Sequence, residues 1–209
     1  MASDSGELRA SRGDGGAEHA LVALFEQSRA RLRRMVRLRL DRRLQGRVDP
    51  SDVLQDAHIE VAKRASEYLA DPSMPAFLWL RWITGEQLLT THRKHFGAQM
   101  RDANLEVSLH RGSMPQATSI SLAELLLGRL TSPTRAARRA EMQVRLQDVL
   151  NTMDPIDREV LTLRHFEELS NGETAQVLGL TKSAASNRYM RALLRLKETL
   201  SGMPGFLDP

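Results

Sequence analysis

The sequence contains no cysteine among its 209 residues, which excludes disulfide bonds, thiolate catalysis and zinc sites with cysteine ligands. Its N-terminal residues carry no apolar run after the first charges, so they do not resemble a secretory signal. The longest apolar runs, such as Leu21 to Phe25, are far shorter than a membrane span. We therefore predict a cytoplasmic protein without membrane insertion, with disorder over residues 1–16.

Aromatic residues are also scarce, at 4% of the chain, so hydrophobic cores must be built mainly from Leu, Val, Met and Ala. The formal charge of +4 is a modest excess that permits a polyanionic partner without requiring one. The charge is unevenly distributed, since the segment from Arg29 to Arg47 holds nine arginines and one acid, Asp41. Such a run is most simply a solvated helix face that adds non-specific attraction to DNA.

Features of an enzyme are missing. The six histidines are scattered, and no glycine-rich phosphate loop is present. His92 and His95 have a helical i, i+3 spacing, but no acidic or cysteine ligand accompanies them nearby. We predict a protein that is not an enzyme and that has neither a metal nor another cofactor.

Apolar residues recur at helical spacing nearly throughout, as in the series Leu21, Phe25, Leu32, Met35 and Val36. The pattern predicts an all-α protein of two small helical domains joined by a flexible linker. The first helix is expected over residues 17–44, and Asp-Pro pairs begin two later helices. We place the domains at residues 17–97 and 133–201, the linker at 98–132 and a tail at 202–209.

The segment N-G-E-T-A-Q-V-L-G-L-T-K-S-A-A-S-N-R has the layout of a helix-turn-helix. A short helix ends at Leu178, Gly179 suits a left-handed turn, and a long helix begins at Lys182. One face of the long helix is predicted to enter the core: Ala185, Tyr189, Leu193, Leu196 and Leu200. Three arginines form a basic stripe on the same helix: Arg188, Arg191 and Arg195.

Small polar side chains at the start of this long helix suit DNA reading in the major groove. Ser183, Ser186 and Asn187 are candidates to bond base edges, and Arg188 is a candidate to bond guanine. Lys182, Arg191 and Arg195 are assigned to phosphates. An ordinary helical hairpin with a solvated polar face, in which Ser183 helps to cap the helix, explains the same pattern.

The two preceding helical segments carry different chemistry. The third pattern, Phe77 to Phe96, holds four of the nine aromatics beside basic residues, as a single-stranded nucleic acid requires. Phe77 and one tryptophan are nonetheless expected in the core. The second helix has an acidic edge, made of Asp49, Asp52, Asp56 and Glu60. Its first acids suit the helix dipole, and the deeper ones suit a basic partner.

Three motifs in this order resemble bacterial RNA polymerase sigma factors. They are D-P-S-D-V-L-Q-D-A-H-I-E-V at Asp49 to Val61, the Trp/Arg-rich helix, and D-P-I-D-R-E-V-L-T-L-R-H-F-E-E-L-S with the helix-turn-helix. The short two-domain layout is similar to the extracytoplasmic-function (ECF) group. The resemblance implies a transcription initiation factor with core RNA polymerase and promoter DNA as partners, and an anti-sigma factor or other regulator as a further candidate partner.

The resemblance also implies which residues act. The polymerase-binding set comprises Asp49, Asp52, Val53, Gln55, Asp56 and Glu60. The set that melts and captures the −10 promoter element comprises Trp79, Arg81, Trp82, Gln87, Thr90, Arg93 and Lys94. The −35 element is read by Lys182, Ser183, Ser186, Asn187, Arg188, Arg191 and Arg195.

Two positions depart from the family's pattern, because Thr174 and Ala185 stand where branched apolar residues are usual. The linker also contains few acids for a strap that threads the polymerase cleft. Two other readings remain open: a free-standing helix-turn-helix regulator of duplex DNA, and an interaction protein that holds polymerase or an anti-sigma factor as a decoy.

Overall fold

The computed structural model describes residues 16–96, 114–130 and 136–202, and within these ranges it contains helices and no β-strand. The prediction of an all-α fold is confirmed. The helices are α1 (Gly16–Arg39), α2 (Pro50–Ala70), α3 (Ala76–Phe96), α4 (Ser119–Leu130), α5 (Ala136–Thr152), α6 (Pro155–Leu161), α7 (Asn171–Leu178) and α8 (Lys182–Ser201). No helix in the described ranges combines the length and apolarity needed to cross a membrane.

The chain divides between Pro115 and Gln116 into two compact units. In the first unit, α1, α2 and α3 pack against one another around a core that is mostly aliphatic and includes several aromatic rings. All five apolar residues predicted to line α1 are buried: Leu21, Phe25, Leu32, Met35 and Val36. Their i, i+4 and i+7 spacing places them on one face, which explains why periodicity alone located them.

The first helix is shorter than its sequence pattern predicts. It ends at Arg39, and a 3₁₀ turn over Arg42–Leu44 follows. Asp41 causes the break, because its carboxylate accepts the backbone N–H of Arg43 at 2.8 Å and caps that turn. A side chain that bonds its own neighbouring backbone competes with helix continuation.

Asp-Pro pairs begin helices where the sequence predicts. Asp49 caps α2 by accepting the Ser51 N–H at 2.7 Å, and Pro50 occupies the first turn. Asp154 caps α6 in the same way, with its carboxylate 2.8 Å from the Ile156 nitrogen. Proline suits this position because its missing N–H has no helical partner there.

The second unit begins at Gln116, inside the predicted linker over residues 98–132, where the sequence from Ile120 to Leu130 also indicates a short helix. Helix α4 packs against α5 and buries Leu122, Ala123 and Leu127. Thr118 supports its start by accepting the Ser121 N–H at 3.1 Å. The Ser/Thr cluster that suggested a linker is therefore in part a helix start. Residues 98–113 and 131–132 lie outside the described residues.

The helix-turn-helix forms as predicted from α7 and α8. Ser170 and Glu173 make a capping box at the start of α7, and Thr181 caps α8. Gly179 ends α7 with φ at 63°, the left-handed conformation that glycine adopts without steric cost. The Asn171 side chain donates to the Lys182 carbonyl at 2.7 Å, which ties the two helices together near the turn.

Candidate nucleic-acid interface

The N-terminal end of α8 presents a polar edge to solvent. Lys182, Ser183, Ser186 and Asn187 are all exposed, whereas Ala185 between them is buried in the core. A larger side chain in place of Ala185 would meet the helices beneath it. The result is a row of hydrogen-bonding groups that suits base edges in the major groove, with the exposed Met190 one turn further along the helix.

Arg188 is placed differently from the prediction that it reads guanine. Its Nη1 donates to Asp157 Oδ1 at 2.6 Å and to Asp154 Oδ1 at 3.2 Å, and only a quarter of its side chain is exposed. The hydrogen bond to Asp157 raises the pKa of Arg188 above its ordinary value. Its guanidinium is therefore held against the start of α6 and is not presented at the polar edge.

The other two arginines of the basic stripe are exposed. Arg191 directs its Nε to Asp157 Oδ2 at 3.1 Å, while most of its side chain remains in solvent. Arg195 donates from Nη2 to the Thr152 hydroxyl at 3.2 Å. Both remain in a position to meet phosphates, since an exposed guanidinium has further donors available.

Two residues of the predicted −10 set are core residues. Trp79 is buried and stacks on Tyr68, with ring centroids 4.5 Å apart and 21° between the planes. Arg81 is also buried, so its guanidinium does not line the surface. We correct both assignments, and Trp79 is the one tryptophan that the sequence analysis expects in the core. The stacked pair fills part of the core with aromatic rings, whereas most of the core of this chain consists of aliphatic side chains.

The remaining residues of that set reach the surface along α3. Arg93 and Lys94 are exposed, and Trp82, Gln87 and Thr90 are partly exposed. One ring face of Trp82 is covered, because the Arg64 guanidinium carbon lies 4.7 Å from its centroid. Glu86 holds Arg64 there with an ion pair of 2.8 Å. A base that stacks on that face must displace Arg64.

The acidic edge of α2 is exposed over its first three turns. Asp49, Asp52, Gln55 and Asp56 face solvent, and Glu60 is partly exposed and paired with Lys63. Val53, assigned to the same set, is buried at 1% exposure and is corrected to a core residue. Val53 follows the exposed Asp52 in the sequence but faces the core, because neighbouring residues of a helix with 3.6 residues per turn point in different directions.

Ile59 is an exposed residue of this surface that sequence reasoning missed. It is 46% exposed, one turn beyond Asp56 on the same helix face. An exposed apolar side chain bordered by polar groups fits the apolar centre and polar rim of a protein-binding surface. Helical spacing is the sequence signal for this exposure. The buried residues Val53, Ala57 and Val61 follow one another at intervals of four, and Ile59 falls outside that series.

The arginine run of the first unit is only partly the solvated face that the sequence suggests. Arg39 is buried and donates from Nη1 to the Pro115 carbonyl at 2.9 Å. Arg31 stacks 3.9 Å from the centroid of Phe77, and Arg43 lies 4.2 Å from that of Phe96. These cations thus hold the three-helix unit together through carbonyl and ring contacts.

His92 is buried and serves the fold. Its Nε2 accepts the Asp41 N–H at 3.3 Å, which requires the neutral ring. Burial lowers the pKa of His92; Asp41 acts in the opposite direction, while Arg43 and His95 act in the same direction as burial. Across the described ranges, no group of three or more His, Asp or Glu side chains is arranged to hold a metal ion.

Comparison with known proteins finds a family match within the second unit. Residues 143–196 match the family model described as Sigma-70, region 4, and this span runs from α5 through most of α8. The chain is 44% identical over 55 residues to the RNA polymerase sigma-E factor of Streptomyces coelicolor, and 42% identical over 55 residues to that of Streptomyces avermitilis. Over these residues the resemblance to sigma factors is confirmed.

The match to these relatives is partial in both directions. It spans 26% of this chain and 31% of each curated relative. Among solved structures, the chain is similar to one described as the structure of CnrH in complex with the cytosolic domain of CnrY. That similarity covers 90% of this chain and 91% of the other, at 22% identity and a TM-score of 0.48.

Proposed function

We propose that this chain is a sigma factor of the ECF group, which binds core RNA polymerase and directs it to promoters to begin transcription. The observation that carries the proposal is the exposed polar edge of α8, within the segment that matches Sigma-70 region 4. The edge offers side chains that hydrogen-bond bases, next to exposed arginines suited to phosphate.

Promoter reading at the −35 element is assigned to that edge. Ser183, Ser186 and Asn187 contact bases, and Asn187 favours adenine because its amide matches the donor and acceptor of that base. Lys182, Arg191 and Arg195 hold phosphates and so fix the register of α8 in the groove. Arg188 is removed from the reading set, since its charge is already neutralised by two carboxylates.

Capture of the −10 element is assigned to the exposed side of α3. Arg93 and Lys94 attract the backbone, while Trp82, Gln87 and Thr90 receive an unpaired base. Extruding a base costs on the order of a few kcal/mol, so stacking and hydrogen bonding must offset that cost. Trp82 is the stacking candidate, because Trp79 is buried.

Polymerase docking is assigned to the exposed face of α2. Asp52, Gln55 and Asp56 present negative charge and hydrogen-bonding groups, and Ile59 adds an apolar contact among them. Such a surface suits a basic partner helix with an apolar centre. The proposed protein acts in the cytoplasm with polymerase and supplies no catalytic activity of its own.

Gel filtration of the purified chain with bacterial core RNA polymerase tests this function. We expect co-elution, followed by promoter-directed transcription when genomic DNA fragments are supplied. Co-elution without transcription from any fragment would favour a decoy that holds polymerase. No complex, from a chain shown to be folded by circular dichroism, would favour a free-standing regulator of duplex DNA.

A further inference from the structure

The start of α6 and the middle of α8 meet in a charge cluster of four side chains, Asp154, Asp157, Arg188 and Arg191. Asp157 is its centre: its side chain is only 6% exposed, and its two oxygens accept one arginine each. Arg188 binds Oδ1 at 2.6 Å, and Arg191 binds Oδ2 at 3.1 Å. Asp157 did not belong to any site predicted from the sequence.

Asp154 contributes less to the cluster because it has another task. Its Oδ1 caps α6 through the Ile156 and Asp157 N–H groups, and the same oxygen receives Arg188 at 3.2 Å. Its side chain is also half exposed, so solvent weakens that pair. The restraint on Arg188 therefore rests chiefly on the buried Asp157.

The geometry controls which cations face the polar edge of α8. Arg188 directly follows Asn187 in the sequence, and an arginine is long enough to reach a phosphate beside a base-reading residue. Held by Asp157, its guanidinium is directed toward α6 instead. Arg191 keeps its exposed head but has its Nε fixed, which narrows the directions in which that head extends.

We propose that Asp157 is a positioning residue for DNA recognition: it withdraws Arg188 from the DNA surface and orients Arg191, so that sequence choice rests on Ser183, Ser186 and Asn187. This inference rests on the proposed function. Withdrawing Arg188 lowers the affinity for DNA of any sequence, because phosphate contacts strengthen binding equally for every sequence. The share of the binding free energy that depends on the base sequence becomes larger.

Asp157→Asn in the full chain tests the role, because asparagine keeps the shape of the side chain and removes its charge. The probes are a duplex selected by the wild-type chain from a randomised pool and a shuffled duplex of equal composition. We expect the dependence of log K on log salt to steepen by about 0.9 for each phosphate gained. If one gained phosphate contact adds nothing to the affinity at about 1 M salt, this slope makes the variant bind the shuffled duplex about eightfold more tightly than the wild type at about 0.1 M salt.

Matched variants separate positioning from general effects. Asp148→Asn removes the same charge from an exposed site on α5, and we expect its salt slope to equal the wild-type slope. Asp157→Glu restores the carboxylate and returns the slope toward the wild-type value. Adding Arg188→Met to Asp157→Asn removes the gain if Arg188 is the cation that was released.

The guanidinium proton signals of Arg188 supply a readout that needs no DNA. We expect nuclear magnetic resonance to show a protected Arg188 signal in the wild type that is lost in Asp157→Asn. Parallel weakening of both duplexes with an unchanged slope would overturn positioning and indicate a purely structural role. Failure of the folded wild-type chain to select any duplex, alone or with core polymerase, would instead overturn the proposed function.

Discussion

Trp79 lies flat against Tyr68, with 4.5 Å between the ring centroids, and the Tyr68 hydroxyl donates to the Met74 carbonyl at 2.7 Å. The pair fixes the turn between α2 and α3 from inside the first unit. Tyr68 thereby satisfies its polar end while its ring remains in the core. A residue that looked suited to DNA stacking is thus a determinant of stability.

Replacing Trp79 by Ala is expected to destabilise the first unit by about 3–5 kcal/mol, the usual loss for a large buried aromatic. Trp82 remains as the fluorescence reporter for a urea titration, since the two tryptophans of the chain both lie on α3. The control is Trp82→Ala followed by circular dichroism, with a smaller loss because that ring is partly exposed. Equal losses would contradict the distinction between them.

Thr174→Val is expected to stabilise the second unit by about 1 kcal/mol. Thr174 is fully buried, and its hydroxyl has no hydrogen-bond partner among the described residues, which is a costly state for a polar group. Thr162→Val is the matched control, because that buried hydroxyl donates to the Arg158 carbonyl at 2.9 Å. Thermal unfolding followed by circular dichroism should move in opposite directions for the two variants.

Asp56→Arg is expected to abolish co-elution with core RNA polymerase while the helical content stays unchanged. The substitution places a cation in the exposed acidic face of α2, where a basic partner would be repelled. Asp71→Arg makes the same charge change just past the C-terminal end of that helix and should leave the complex intact. Normal complex formation by Asp56→Arg would remove α2 from the docking assignment.

Asn187→Ala is expected to lose about 1–3 kcal/mol of binding at one base pair and little at others. Competition binding against a panel of single-base variants of a selected duplex measures this directly. Lys182→Ala is the contrasting variant: a phosphate ligand weakens every duplex alike and lowers the salt slope. A uniform loss for Asn187→Ala would reassign that residue to the phosphate backbone.

His92 is expected to make the first unit less stable in mild acid. Burial keeps the folded-state pKa below the ordinary 6.5, so the unfolded chain binds more protons in the interval between the two values. Stability is then complete above 6.5 and falls as the pH drops below it toward the folded-state pKa. Urea titrations from about pH 7.5 to about pH 5 measure this slope.

His92→Gln is expected to flatten that slope, because the glutamine side chain has an oxygen able to accept the Asp41 N–H and does not titrate. His19→Gln, at an exposed position on α1, is the control and should retain the wild-type slope, because His19 is not among the groups that shift the pKa of His92. A slope that persists in His92→Gln would assign the acid sensitivity to a different group.

Helix starts and the buried faces of long helices were predictable from sequence because their causes are local. In the Asp49-Pro50 and Asp154-Pro155 pairs, the aspartate side chain accepts the backbone N–H two residues later. Gly179 ends α7 because glycine itself adopts a positive φ. The apolar spacing along α1 locates its core face for the same reason. The length of α1 was overestimated, since Asp41 stops the helix by a bond that periodicity does not reveal.

The site was predicted less completely, because the pattern assigns side chains to a helix without giving their partners. On α3 the buried Trp79 and the partly exposed Trp82 differ by three residues and are chemically identical. On α2 the buried Val53 was grouped with the acids that flank it. Helical phase locates Val53 and Ile59, but the choice between the two tryptophans depends on what α2 places against α3.

The sequence by itself determined an all-α chain, a helix-turn-helix near its C-terminus and the short polar residues that begin α8. Those features follow from backbone propensity, capping and spacing, which act within a few residues. Only the tertiary structure decided that Arg188 binds Asp157, 31 residues away, and that Trp79 belongs to the core. The direction of a long side chain depends on charges and cavities supplied by other helices, and these come together only when the chain folds.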